Sequence, residues 1–149
     1  MSFKSWCEEH YPVSAQYIAT SHHEGKVPMT AVIQHSVDKW KGLRKINTKK
    51  HEILTTVNFF GSAVVHAEGS FGDPCNRLTY AGGSCSLCAV SEGDCTKCPI
   101  KITSGATCIS VYEFVDPNIP DTVEDMISLL EETLEKTKAG VIHPNSKEG

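Results

Sequence analysis

The sequence predicts an α+β domain in which a small antiparallel sheet packs on a C-terminal helix, with an irregular zinc-knuckle segment between them. Three observations lead there. Residues 52–60 and 62–66 are rich in β-branched and aromatic side chains around Gly61, as a strand pair or bulged strand requires. Val123, Met126, Ile127, Leu130 and Leu134 form one apolar stripe at helical spacing. Between these regions, five of the seven cysteines crowd into positions 85–108. A chain of 149 residues, 40% hydrophobic and 21% charged, is one domain's worth and buries a core without disulfide staples.

Taken in order, residues 1–28 read as a polar, loosely structured lead-in with a short helix near Ser14–Thr20, punctuated by Pro12, Gly25 and Pro28. The segment 30–84 holds a helix, a basic run and the strands. Thr30 is a candidate cap, Ile33, Val37 and Trp40 recur at helical spacing, and Gly42 is suited to end the run in a left-handed conformation. The spacing therefore predicts a helix over 31–41. Residues 69–84 are glycine-rich and contain Asp73-Pro74, so they read as loop. After the cysteine segment 85–108, residues 107–115 alternate as a strand and Asp116-Pro117 with Pro120 ends it. The segment 109–140 closes with a helix over 122–139, where Asp121 and Glu124 have capping-box spacing and Gly140 follows Lys136 and Lys138. Residues 141–149 read as a tail.

The cysteine pattern is Cys85-Ser-Leu-Cys88, six residues, Cys95-Thr-Lys-Cys98, nine residues beginning with Pro99, then Cys108. A pair of cysteines two residues apart brings two thiolates to one tetrahedral ion, because the backbone between them turns and its amides reach the sulfurs. Zinc takes four such ligands, so Cys85 and Cys88 would join two of Cys95, Cys98 and Cys108, and spacing does not choose among the three. Disulfides fit poorly with an odd cysteine count and a start, Met1-Ser-Phe-Lys-Ser-Trp, that has no apolar export core. An iron–sulfur cluster has the Cys98-Pro99 step in its favour but lacks the usual ferredoxin spacing. Plain buried thiols are the remaining alternative. A four-thiolate site leaves no open coordination position, so the expected role of zinc is structural.

The string from Ser84 to Ile100, followed by a glycine and Cys108, resembles a cysteine signature of small phage and prophage proteins. Those proteins carry an upstream segment similar to His35-Ser-Val-Asp-Lys-Trp-Lys-Gly-Leu-Arg, so the likeness spans residues 31–50 and 83–134. The resemblance implies a metal-binding fold and a viral or bacterial setting, hence the cytoplasm of a bacterial host. It transfers no catalytic residue.

No other motif assembles an enzyme. His66-Ala67-Glu68 and Pro74-Cys75 echo the zinc deaminase signature, yet Leu78 stands where its second cysteine belongs and Ser84 precedes Cys85 in place of proline. Cys7 and Cys75 lie outside the cluster and define no nucleophile, and neither a dinucleotide fingerprint nor a P-loop occurs. Six of the fourteen basic residues lie between positions 39 and 50 although the net charge is −4. Lys41, Arg44, Lys45, Lys49 and Lys50 are the candidate contacts for a phosphate-bearing ligand, with a solvated charged face as the plain alternative. From Glu113 to Glu135 the chain has eight acidic residues and no basic one, a face that could meet a basic partner or the 39–50 run of a second copy.

The functional expectation is a non-enzymatic, zinc-binding, phage-type protein that acts on host machinery or defence by sequestering a nucleotide-type signal. The alternatives are a zinc-dependent nucleic-acid-binding module, a protein–protein inhibitor of a host factor and, last, a zinc deaminase-like hydrolase. No stretch is apolar enough to predict a membrane span.

Overall fold

The computed structural model describes residues 3–57, 63–67, 77–79, 85–105 and 120–142, and these residues are predominantly helical. The helices are α1 (Phe3–His10), α2 (Ala15–His23), α3 (Met29–Lys41), α4 (Lys45–Lys50), α5 (Ser86–Val90), α6 (Pro99–Ser104) and α7 (Pro120–Lys138), with a 3-10 turn over Cys95–Lys97. Strands β1 (Ile53–Val57), β2 (Ala63–Ala67) and β3 (Arg77–Thr79) form one antiparallel sheet in the order β1-β2-β3, with Leu54 opposite His66 and His66 opposite Arg77.

The expected α+β architecture is overturned. The apolar stripe of α7 is covered by α3 and α6, whereas the sheet's main partner outside itself is the short α4. The strands are too short to cover that stripe, and β1 turns Ile53 inward while leaving Leu54 47% exposed. The cysteine segment is helical too. Cys98 is the N-cap residue of α6, Pro99 takes the first turn where its missing N–H costs nothing, and Gly105 closes the helix in the left-handed conformation at φ 79°. The expected strand at 107–115 and most of the loop at 69–84 lie outside the described residues.

The lead-in is a further correction, because it supplies core. Trp6 on α1 is fully buried, and Ala15 and Ala19 on α2 are buried as well. Tyr17 N–H donates to Ser14 Oγ at 3.1 Å, which satisfies one of the free amides that begin α2. The core gathers Trp6, Val32, Ile33, Val37, Trp40, Leu87, Ile100, Ile127 and Leu130 around α3. The expected stripe of α7 is buried throughout, with Leu130 at its centre.

Two helix ends behave differently from each other. Gly140 follows α7 at φ 73°, the left-handed stop that the sequence suggests. Gly42 instead ends α3 in the right-handed region at φ −64°. Its role is space: a Cβ there would stand 2.6 Å from Cγ of His10 and 2.9 Å from Nε1 of Trp6. Trp6 Nε1 also donates to the Gly42 carbonyl at 2.9 Å, so α1 is seated directly on the backbone at the end of α3.

Candidate metal centres

Cys85 occupies the N-cap of α5, and the turn that follows returns the chain onto it. The Cys88 thiol donates to the Cys85 sulfur, and the backbone N–H groups of Leu87 and Cys88 point at it as well. Lys39 stands close enough to stabilise negative charge there. Together these outweigh burial and pull the Cys85 thiol down to about 5, which favours its thiolate form. Cys7, by contrast, is pushed up to about 11 by burial, with Glu8 adding to the effect, which disposes of it as a nucleophile.

Lys39 heads the basic run in the sequence, yet it is buried, with Nζ 5.5 Å from the centre of the Trp40 ring. A buried ammonium beside a buried thiolate gives each the counter-charge it needs. His35 and Tyr11 line the same region, with ring centres 4.8 Å apart. Desolvation lowers the His35 pKa, and its Nε2 lies 2.7 Å from the Val13 carbonyl.

The described cysteines divide by burial. Cys85 and Cys98 belong to the core, Cys88 packs against it half-buried, and Cys95 is exposed at the start of the 3-10 turn. No three of these four sulfurs lie within 4.8 Å of one another. Cys108 and Cys75 lie outside the described residues. His66 is a buried residue in the middle of β2, not the start of a helix, while Glu68 is outside the described residues.

A second group was not anticipated from sequence. Glu9, His10 and His51 each offer a ligand atom, all within 4.8 Å of one another, and could hold a metal ion. His51 Nε2 lies 2.6 Å from Glu9 Oε2, and Ser5 Oγ is 2.8 Å from its other ring nitrogen. Bonds from His51 first and Lys50 second hold the Glu9 carboxyl below its usual range, while burial lowers the pKa of His10. The ligands are separated by 42 positions, and the only local signal is the Glu9-His10 dipeptide, which by itself indicates nothing.

The basic run does not form one continuous anion site. Arg44 is held by Glu124, from Nε to Oε1 at 2.7 Å and from Nη2 to Oε2 at 3.0 Å. Lys50 reaches both oxygens of Glu9 at 3.3 and 3.2 Å. Lys41 is half-buried, whereas Lys45 and Lys49 are exposed one turn apart on α4 beside Ile46, itself 75% exposed.

The chain matches no family model, no curated protein and no solved structure. Among the described residues, no helix is long and apolar enough to cross a membrane.

Proposed function

We propose that this is a non-enzymatic, zinc-stabilised binding protein, with Cys85, Cys88, Cys98 and Cys108 as the four thiolate ligands and Cys95 as the surplus cysteine. The observation that carries the reading is the Cys85 sulfur, buried yet surrounded by the Cys88 thiol, two backbone amides and the Lys39 ammonium. A buried thiolate of this kind is the form that a soft-ligand metal site uses, and hydrogen bonds to its sulfur are the outer-shell support such sites need. Exposure of Cys95 favours Cys98 over it, and elimination then leaves Cys108 as the fourth ligand. Metal binding draws Cys98 toward the Cys85-Cys88 pair and so fastens α6 to α5.

The ligand in this reading is a phosphate-bearing small molecule of nucleotide type. What supports it is the exposed pair Lys45 and Lys49 on α4, with Lys41 nearby in sequence. Arg44 and Lys50 leave the candidate contacts, because Glu124 and Glu9 already engage them. In the phage setting that the cysteine string resembles, such a ligand is a host signal and the protein works in the host cytoplasm.

The test is elemental analysis of purified wild type and single Cys→Ser variants at 85, 88, 95, 98 and 108. The reading requires zinc in the wild type and in Cys95→Ser, and its loss from the other four. Zinc-free wild type, or the same zinc content in Cys85→Ser as in wild type, overturns it. Nucleotide affinity that is unchanged in Lys45→Glu/Lys49→Glu overturns the ligand assignment alone.

A further inference from the structure

We propose that Glu9, His10 and His51 form a second metal site, distinct from the thiolate centre, that binds a divalent transition-metal ion with an exchangeable coordination position. The donor set selects the ion. Two imidazoles and one carboxylate suit zinc, cobalt, nickel or ferrous iron, whereas calcium and magnesium prefer oxygen alone and soft ions prefer thiolates. Three protein ligands leave a four-coordinate ion one position for water or a small anion.

The arrangement is built around two fixed imidazoles. The side chain of His51 is 2% exposed and that of His10 is 11% exposed, while Glu9 at 42% stands at the mouth toward solvent. His10 follows Glu9 at the C-terminal end of α1, and its ring lies against the Gly42 backbone with the Trp6 ring 5.9 Å away. Ser5 and Glu9 sit four residues apart on one face of α1, and both reach the His51 ring. The two imidazoles meet edge to face with ring centres 5.9 Å apart.

One atom points to a ligand independently of this clustering. His10 Nε2 is buried and has no hydrogen-bond partner among the described residues, with Glu9 Oε1 standing 3.7 Å away. A buried ring nitrogen without a partner calls for an explanation, and a metal ion between Glu9 and the two rings provides one. The site needs little rearrangement, because ligand atoms already within 4.8 Å close on an ion at about 2.0–2.2 Å from each.

The proton on His51 has somewhere to go. Glu9 can only accept, so the 2.6 Å contact requires Nε2–H as donor, and Nδ1 then accepts from the Ser5 hydroxyl. Binding an ion at Nε2 moves that proton to Nδ1, where it is donated to Ser5 Oγ. A hydroxyl serves in either direction, so Ser5 orients the ring in both states. Lys50 opposes the ion. Its ammonium bridges both Glu9 oxygens, but the pair is about half exposed and the long side chain can swing away.

The experiment is a calorimetric titration with nickel ions of full-length protein carrying one equivalent of zinc, with imidazole nitrogen spectra recorded in parallel by NMR during addition of further zinc. The wild type should bind one further ion and shift the nitrogens of His10 and His51. Glu9→Gln, which changes an exposed side chain and leaves the core alone, should weaken binding at least tenfold, and Lys50→Met should tighten it several-fold. Cys85→Ser should leave this event unchanged, which separates it from the thiolate centre. Equal nickel affinity in wild type and Glu9→Gln, or no shift of either histidine, overturns the proposal and leaves the group as a staple between α1 and α4.

Discussion

The guanidinium of Arg44 grips the carboxylate of Glu124 through two hydrogen bonds, of 2.7 and 3.0 Å, and so joins the start of α4 to the first turns of α7. The opposite charges of the basic run and the acidic C-terminal segment therefore meet within one chain at this point. Both side chains are more than a third exposed, so water screens the pair and each deletion should cost at most about 1 kcal/mol. Arg44→Ala and Glu124→Gln should lower the urea midpoint slightly, and the double variant should lose less than the sum.

The same pair predicts a pH dependence. Hydrogen bonding to Arg44 lowers the Glu124 pKa in the folded state. Its stabilising effect is therefore complete above the unfolded carboxyl value and fades as pH falls through the lowered one. Acid titration of stability should show a shallower decline in Glu124→Gln than in wild type.

Gly42→Ala should destabilise the fold by about 1–3 kcal/mol, because the new methyl group meets the His10 ring at 2.6 Å in a packed core. Thermal or urea unfolding checks this. A neutral substitution would mean that α1 is not seated on the end of α3.

Trp6→Ala should cost about 3–5 kcal/mol, since the indole is fully buried and also loses its bond to the Gly42 carbonyl. The outcome separates an integral N-terminal helix from a dispensable lead-in. Removing residues up to Gly25 should be equally damaging to folding, as read by circular dichroism.

Chelation should loosen the α5–α6 region first. Amide exchange over residues 85–105 should speed up on zinc removal and recover on readdition, while α3 and α7 stay protected by their mutual packing.

The helices over 31–41 and 122–139 were legible because their burial follows the 3.6-residue period: Ile33, Val37 and Trp40 on one, and Val123, Met126, Ile127, Leu130 and Leu134 on the other. The antiparallel pairing of β1 with β2 was legible from the β-branched runs in 52–60 and 62–66. The packing was not, because apolar stripes do not name their partners; α7 meets α3, at least 79 positions away in sequence. Residues 1–28 misled through their polarity, since Phe3, Trp6 and the small Ala15 and Ala19 are the only buried hydrophobic residues among those described there. The expected capping box at Asp121 does not hold, because α7 already includes Pro120 and Asp121 lies inside its first turn, while Glu124 pairs with Arg44. In the candidate sites, C-x2-C spacing revealed Cys85 and Cys88, but the burial of Lys39 and the meeting of Glu9 with His51 arise only from tertiary contact.

Native mass spectrometry of protein purified without added metal, compared with its mass after denaturation, tests the thiolate centre most directly. The account predicts at least one zinc ion per chain that is released on denaturation, with Cys85→Ser carrying one fewer than wild type and Glu9→Gln still holding the thiolate-bound ion. A wild-type chain whose native and denatured masses agree would contradict it.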